Sequence, residues 1–249
     1  DVQGDVRWLH RQVEGADWYF VTPEKQQSFQ GKVTFRAEGA AECWNPVTSE
    51  VTPLNASCQG EYATVELELP KAGSCFVVFR QDKQQQNVEK LAYSRTQNVD
   101  GKWSLQFPEG WGAPAQLETE ALMPWCELPM SEEGKAFSGS VMYTTTFNWK
   151  GDSKHVLLDL GEVDMIAEVS VNGQKLRTLW CKPFALDIAD ALKEGENTLQ
   201  VKVTSTWFNR LAFDAAQPEA NRKTWTIEGP KANAPLKNYG LLGPVTLKF

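Results

Sequence analysis

Acidic residues are the side chains of this sequence best suited to catalysis. Asp159, Glu162, Asp164 and Glu168 lie close together in the run "LDLGEVDMIAEV". Two carboxyl groups held about 5 to 9.5 Å apart across a glycosidic bond supply the groups that glycoside hydrolysis needs. Along an alternating strand, however, such residues occupy the solvent face or the turns. We predict that ordinary role for these four.

Other common catalytic patterns are missing. The sequence contains two histidines, His10 and His155, and it has no G-x-S-x-G elbow, phosphate-binding loop or dinucleotide glycine pattern. The cysteines show neither CxxC nor Cys/His ligand spacing, and no EF-hand spacing occurs. We therefore predict no catalytic residue and no cofactor, and the sequence identifies no metal site.

A polar and aromatic segment near the C-terminus is a candidate carbohydrate site. The runs "VTSTWFNRLAFD" and "NRKTWT" carry Trp207, Asn209, Arg210, Asp214 and Trp225. Tryptophan beside Asn and Arg is typical of sugar sites, since a flat ring covers the apolar face of a pyranose. An Arg–Asp pair can equally pin a loop. We expect a long irregular segment after a strand end, and both roles stay open.

A further aromatic cluster follows an Asn-Gly turn. In "VSVNGQKLRTLWCKPFALDI" the alternation up to the Asn-Gly pair predicts a hairpin with a type I′ turn, so Val169 and Val171 should face a core. Trp180, Pro183 and Phe184 come next. Rings crowded around a proline are typical either of a sheet corner or of a ledge on which a sugar stacks.

The composition is that of a globular protein. Of 249 residues, 41% are hydrophobic, 23% are charged and ten are tryptophan. The net charge of −7 opposes binding to a polyanion, and no apolar run approaches the roughly 20 residues of a membrane helix. We expect neither nucleic acid nor membrane as partner. The chain begins at Asp1 without Met or a signal sequence, so we expect an N-terminus made by processing or by design.

The cysteines are predicted to be buried free thiols. Their odd number opposes a disulfide framework, and each is flanked by apolar, strand-like residues. They are Cys43, Cys58, Cys75, Cys126 and Cys181.

Short alternating runs predict two all-β domains. "VRWLHRQV", "ADWYFVT", "KVTFRA", "AECWN", "ATVELEL" and "SCFVVF" precede a polar, Gln-rich stretch at residues 80–101, and longer runs such as "SGSVMYTTTFNW" and "NTLQVKVTSTW" follow it. This spacing is typical of antiparallel sandwiches. The polar stretch predicts a linker, with domains at residues 1–98 and 99–249.

In "DIADALKEGEN", the one helical candidate, Asp187 should cap a single turn that Gly195 ends. Alternation assigns these residues to core faces: Val33, Phe35, Val65, Leu67, Leu69, Trp103, Leu105, Phe107, Leu199, Val201 and Val203.

In combination these motifs resemble a known family. The runs "WSLQF", "FSGSVMYTTTF", "AEVSVNG", "LWCKPFALDIADALKEGENTLQVKVTSTWFNRLAFD", "RKTWT" and "YGLLGPVTL" resemble the C-terminal galactose-binding-like jelly roll of glycoside hydrolase family 106 α-L-rhamnosidases. That domain is itself similar to the sugar-binding domain of family 2 glycosidases. "VRWLHRQVEGADWYFV", "ECWNPVTSE" and "GSCFVVF" resemble the sandwich that follows the catalytic barrel in such enzymes. The resemblance implies an all-β fold of two antiparallel β-sandwich domains, the second a galactose-binding-like jelly roll.

The resemblance also implies a function. The family's catalytic carboxylates belong to a (β/α)₈ barrel that no stretch here matches, so the chain is expected to be the non-catalytic C-terminal portion of a rhamnosidase-like glycoside hydrolase, periplasmic or secreted. Its expected partners are a catalytic barrel domain outside this chain and a carbohydrate such as a rhamnose-containing glycan. A stand-alone carbohydrate-binding module and a self-sufficient glycosidase with an unrecognised carboxylate pair are the alternatives. The sugar-contacting residues would be Trp207, Asn209, Arg210, Asp214, Trp225 and Trp180.

Overall fold

The chain divides into two units, Asp1–Leu91 and Ala92–Phe249. The structure is a computed structural model that describes residues 2–25, 27–89, 91–232 and 234–249. The regular secondary structure of both units is almost entirely antiparallel β-strand, which confirms the all-β prediction. Thr96–Asn98 pairs with Thr246–Lys248. The stretch expected to be a linker therefore contains a strand of the second unit, and the division falls a few residues before the expected boundary.

The first unit is built from two antiparallel sheets. Its strands are β1 (Val2–Gln3), β2 (Val6–Val13), β3 (Ala16–Pro23), β4 (Phe29–Arg36), β5 (Ala40–Trp44), β6 (Val51–Pro53), β7 (Ala56–Gln59), β8 (Tyr62–Leu69) and β9 (Cys75–Arg80). One sheet has the order β1-β4-β8-β7 and the other the order β2-β3-β9-β5-β6. In β4 and β8, the predicted core residues Val33, Phe35, Val65, Leu67 and Leu69 are at most 4% exposed. Period-two alternation thus identified this core correctly.

The second unit has three sheets and contains the two longest strands, of ten residues each. Its strands are β10 (Thr96–Asn98), β11 (Trp103–Gln106), β12 (Gln116–Thr119), β13 (Ser140–Trp149), β14 (Leu157–Asp159), β15 (Glu162–Val163), β16 (Ile166–Val171), β17 (Gln174–Leu179), β18 (Ala185–Asp187), β19 (Gly195–Thr204), β20 (Leu241–Gly243) and β21 (Thr246–Lys248). The sheets have the orders β12-β11-β13-β19-β16-β17, β10-β21-β14-β18 and β15-β20. The predicted core residues of β11, the residue after it and β19 are all buried.

The predicted hairpin is confirmed. Asn172 and Gly173 have φ angles of 51° and 80°, as a type I′ turn requires, and they join β16 to β17. Val169 and Val171 are fully buried. After β17 the chain crosses to the sheet that contains β18, and Phe184 is buried at the crossing. The corner interpretation of this segment is therefore confirmed.

Two helices correct the sequence prediction. Helix α1 (Glu132–Lys135) was not predicted, and helix α2 (Phe208–Ala215) replaces the irregular segment expected there. The residues that α2 buries are Asn209, Arg210, Ala212 and Asp214. The apolar residues Phe208, Leu211, Ala212 and Ala215 recur at i, i+3, i+4 and i+7, so the sequence does contain a short apolar stripe at helical spacing, although most of the fully buried residues of α2 are polar.

The expected turn after Asp187 is shorter than predicted. Asp187 Oδ1 accepts a hydrogen bond of 2.9 Å from the backbone N–H of Ala189, which begins a 3-10 helix at Ala189–Ala191. Gly195 does not end this helix, because it is the first residue of β19.

One cysteine prediction is wrong. Cys75 is buried and three others are half-buried, but Cys58 is exposed because it lies on β7, an edge strand of its sheet. All five thiols are free. Among the residues that the structure describes, no helix is long and apolar enough to cross a membrane.

Candidate functional site

The candidate site is organised around α2, which follows the end of β19. The connection between them is tied to β13 and to the last part of the chain: the backbone N–H of Ser205 donates to the Gly139 carbonyl at 2.9 Å, and the hydroxyls of Thr206 and Tyr239 share a hydrogen bond. Tyr239 is 1% exposed. The start of the helix is therefore fixed by the core of the second unit.

Arg210 and Asp214 form a buried ion pair one helical turn apart. Arg210 Nε donates to Asp214 Oδ2 at 3.0 Å and Nη2 donates to Oδ1 at 2.6 Å. Both side chains are 1% exposed. Such a two-pronged pairing of guanidinium and carboxylate is among the strongest polar contacts that side chains make. The third guanidinium nitrogen, Nη1, donates to Glu133 Oε1 at 2.8 Å.

The same acidic groups hold the segment that follows α2. Asp214 Oδ2 accepts from the Thr224 N–H at 2.7 Å, from the Thr224 hydroxyl at 2.6 Å and from the Lys223 N–H at 3.2 Å. Glu133 Oε1 accepts from Lys223 Nζ at 2.7 Å. A single carboxylate thus joins the helix to residues about ten positions later, which is the loop-pinning role.

A second contact anchors the chain after α2 at Lys237. Asn209 is fully buried, its Nδ2 donates to the carbonyl of Lys237, and its Oδ1 accepts from the Lys237 N–H, both at 2.8 Å. We call residues 216–232 and 234–238 the strap. The strap is therefore attached to α2 near its middle, through Asp214, and near its end, through Asn209.

The charges of this network are mutually stabilised. Burial alone would raise the pKa of Asp214, but hydrogen bonds from Arg210 and Thr224 hold that pKa below its ordinary value. Hydrogen bonds from Lys223 and Arg210 likewise lower the pKa of Glu133. The pKa of Arg210 is raised because its carboxylate partners outweigh its burial. Opposite charges and hydrogen bonds thus favour the ionised forms of all three groups, and each group is engaged by other side chains of the protein.

The tryptophans of the candidate site are exposed. Trp207, next to the start of α2, is 47% exposed, and Trp225, on the strap, is 78% exposed. Trp207 packs edge-on against Trp111, with ring centroids 5.2 Å apart, and the Arg210 guanidinium carbon lies 5.3 Å from the centre of the Trp111 ring. Ile227, also on the strap, is 87% exposed.

The structure separates the six predicted residues into three groups. The polar residues Asn209, Arg210 and Asp214 share α2, where they are buried and engaged by protein groups. Trp207 and Trp225 flank them on the surface. Trp180 is 58% exposed but lies on a different connection, after β17.

Sequence reasoning missed four members of the network. Glu133, Trp111, Lys223 and Thr224 complete it, and two of these precede α2 by more than seventy residues in the chain. The run "NRKTWT" lies on the strap, but no local pattern in the sequence connects it to Glu133. Only the packing of α1 and of the segment before it shows this link.

Two of the four acidic residues between 159 and 168 are paired with lysines. Asp159 Oδ2 accepts from Lys248 Nζ at 2.8 Å. Glu168 accepts from Lys175 Nζ at 2.8 Å and from Lys202 Nζ at 2.9 Å, and these bonds lower its pKa. No group of three or more metal-ligating side chains was found in the described part of the chain.

Comparisons with known proteins identify relatives of this fold. Residues 133–238, which begin at Glu133 and include α2 and the strap, match the family model described as "Glycosyl hydrolase 2 galactose-binding domain-like". Over 123 residues the chain is 40% identical to a "Putative beta-glucuronidase" of Formosa agariphila, a match that covers 47% of this chain and 10% of that protein.

A solved structure matches the whole chain. The rhamnosidase from Novosphingobium sp. PP1Y superposes with a TM-score of 0.90 and 32% sequence identity, covering 100% of this chain and 24% of that one. The chain therefore spans about a tenth of the first relative and about a quarter of the second. Both relatives bear the names of glycosidases, and the matched part of the second unit is a galactose-binding-like domain.

Proposed function

We propose that this chain is the non-catalytic C-terminal portion of a rhamnosidase-like glycoside hydrolase of family 106, and that it supports or completes a carbohydrate site. The observation that carries the proposal is the match of the entire chain to about a quarter of a rhamnosidase, at a TM-score of 0.90 and 32% identity. A catalytic barrel domain outside this chain would supply the reacting groups, and a rhamnose-containing glycan would be the ligand.

The state of the carboxylates supports a non-catalytic role. Glycoside hydrolysis requires one carboxyl group that can donate a proton and a second that is free to act as base or nucleophile. In this chain Asp159, Glu168, Glu133 and Asp214 each accept hydrogen bonds from lysine or arginine side chains. The partners of Glu133, Glu168 and Asp214 lower the pKa of each carboxyl group, which disfavours a role as proton donor, and Lys248 occupies Oδ2 of Asp159.

The strap supports a role in carbohydrate contact. Exposed tips of loops that are held by a rigid scaffold are frequent binding elements, and a bare indole ring suits the apolar face of a sugar. Trp225 and Ile227 are the most exposed large apolar side chains of the described residues, and the two anchors on α2 fix the segment that carries them. The polar residues of α2 hold the strap, while Trp225 would meet the ligand.

Hydrolysis and binding assays test this proposal. The isolated chain is expected to release no nitrophenol from an aryl α-L-rhamnoside, whereas a polypeptide that joins the chain to its barrel domain should do so. In that polypeptide Trp225→Ala should raise KM, and Trp8→Ala, a change of another exposed tryptophan in the first unit, should not. Turnover by the isolated chain that one carboxylate substitution abolishes would contradict the proposal.

A stand-alone carbohydrate-binding module is the second candidate function. The exposure of Trp180 and Trp225, 58% and 78%, favours it, because such rings form the platforms of binding modules. Glycan-array binding by the isolated chain, lost in Trp225→Ala or Trp180→Ala, would support the module. Absence of binding by the isolated chain, combined with a KM effect in the longer polypeptide, would support the first candidate.

We further propose a periplasmic or secreted location, where polymeric glycans are accessible. Fractionation of cells that produce the protein from its natural gene would test this. Recovery of the protein in the cytoplasmic fraction alone would contradict it.

A further inference from the structure

Two cysteines of the first unit lie side by side on neighbouring strands. Cys43 is on β5 and Cys75 is the first residue of β9, the strand that pairs with β5. Cys43 is directly opposite Val77, so Cys75 is its diagonal neighbour on the same, inward face of the sheet. The two thiols are close enough for each to shift the pKa of the other. They are separated by more than thirty residues in the chain, so sequence spacing gave no sign of this pair.

The pair borders a cavity. A cavity of about 470 Å³ opens at this end of the first unit, and its lining includes both cysteines together with Pro53, Leu67 and Leu69. Cys75 is 3% exposed, whereas Cys43 is half-buried. A small reagent that enters this largely apolar cavity therefore meets the sulfur of Cys43 first.

The pKa values of the two thiols are shifted in opposite directions. A hydrogen bond from the Cys75 thiol stabilises the thiolate of Cys43 and lowers the pKa of Cys43. The bond to Cys43 and burial raise the pKa of Cys75. Since the thiolate is the nucleophile in thiol chemistry, Cys43 is the attacking member and Cys75 the second to react.

We propose that Cys43 and Cys75 form a site of thiol–disulfide exchange that takes small disulfides from solution. The Cys43 thiolate attacks one sulfur of the small disulfide, forms a mixed disulfide and releases one thiolate, which takes up a proton. Cys75 then loses its proton and attacks the Cys43 sulfur, forming the Cys43–Cys75 disulfide and releasing the second thiol. The small disulfide is reduced to two thiols, and the two cysteines are oxidised.

The diagonal arrangement makes the exchange reversible. Diagonal neighbours in antiparallel strands have Cα atoms about 7 to 8 Å apart, which exceeds the roughly 5.5 to 6 Å of a relaxed disulfide. Closing the bond therefore requires a small movement. Cys75 allows it, because it directly follows the connection between β8 and β9 and begins its strand. A disulfide formed in this way is readily reopened by a thiol.

Oxidised glutathione is a suitable probe for the intact chain. After incubation of the folded protein, remaining thiols are blocked with iodoacetamide and the protein is mapped by mass spectrometry. The wild type should yield a Cys43–Cys75 linked peptide. Cys75→Ser should instead retain glutathione on Cys43, and Cys43→Ser should leave Cys75 unmodified. Cys58→Ser, which removes the exposed thiol of β7, is the matched control and should form the link as the wild type does.

These outcomes distinguish the proposed exchange site from simple reaction of glutathione with the most exposed thiol. Modification of Cys58 without modification of Cys43 would overturn it, and so would a glutathione adduct on Cys43 that persists equally in wild type and Cys75→Ser. The Cys75→Ala change should also slow alkylation of Cys43 several-fold, because it removes the hydrogen-bond donor that stabilises the Cys43 thiolate. Cys75→Ala is a second variant for the case that a buried hydroxyl unfolds the protein, and circular dichroism verifies the fold of each variant.

Discussion

The side-chain amide of Asn209 forms both hydrogen bonds of a strand-like pair with the backbone of Lys237. Its Nδ2 donates to the carbonyl and its Oδ1 accepts from the N–H, each at 2.8 Å, although the two residues are 28 positions apart. A side chain of α2 thus takes the place of a neighbouring strand for the end of the strap. The backbone of Lys237 has its hydrogen-bonding needs met without a sheet.

Replacing Asn209 tests this anchor. Asn209→Ala leaves the N–H and carbonyl of Lys237 without their partners and opens a space in a fully buried position. We expect a loss of about 2 to 3 kcal/mol in the free energy of unfolding, measured by urea denaturation. Asn221→Ala, a change of an exposed asparagine on the strap, is the control and should alter stability by less than about 0.5 kcal/mol. Equal effects of the two substitutions would contradict the anchoring role.

Arg210→Met tests the buried ion pair. It leaves the carboxylate of Asp214 buried without its main partner, which typically costs about 3 to 5 kcal/mol. Arg210→Lys should be intermediate, because an ammonium group cannot form the two parallel bonds of a guanidinium. The double variant Arg210→Met, Asp214→Leu should recover part of the loss, since no charge is then left unpaired. A double variant less stable than Arg210→Met would show that packing dominates.

Surface ion pairs provide the comparison for this prediction. Arg36 and Glu61 pair at 2.9 Å, but their side chains are 55% and 65% exposed. Arg36→Met should therefore change the free energy of unfolding by less than about 1 kcal/mol. A similar cost at Arg36 and Arg210 would rule out burial as the cause.

The ion pairs of Asp214 and Glu133 should make the free energy of unfolding depend on pH. The pKa of Asp214 in the folded protein lies below its ordinary value of 3.8, and that of Glu133 lies below 4.5. Their stabilising contribution is therefore complete above the ordinary pKa values and is lost as the pH falls through the lowered ones. The stability difference between wild type and Asp214→Asn should shrink between about pH 4.5 and pH 2.

Urea titrations at several pH values would measure this difference. A difference that stays constant down to about pH 2 would mean that Asp214 titrates identically in the folded and unfolded states. Glu133→Gln should show a smaller effect of the same sign, because Glu133 is about one-third exposed.

Trp225→Ala should separate ligand contact from stability. The indole is 78% exposed, so its removal should change the free energy of unfolding by less than about 0.5 kcal/mol. If the proposed function is correct, the same change raises KM for a rhamnoside in the polypeptide that includes the barrel domain. Loss of stability without any change in KM would make Trp225 a structural residue.

Strand positions and their inward faces were predictable from sequence, because β4, β8, β11 and β19 alternate cleanly and each buries one row of apolar side chains. Helix α2 was not predicted, because its apolar residues recur at helical spacing over only two turns and stand beside the polar residues Arg210 and Asp214, which are also buried. The individual residues of the candidate site could be identified from the sequence, but their interaction partners could not. Glu133 and Cys75 reach Arg210 and Cys43 through tertiary packing, which no local pattern encodes.

The two attachments of the strap have a consequence for how such a protein can evolve. The arc between Thr224 and Lys237 is bounded by anchors whose partners all lie on α2. Changes of sequence or length within the arc therefore leave those anchors untouched. Even a doubling of its length costs only about 0.6 kcal/mol in closure entropy. The residues of the arc can therefore change during evolution, and with them the side chains displayed on this surface, while the supporting β-sandwich stays the same.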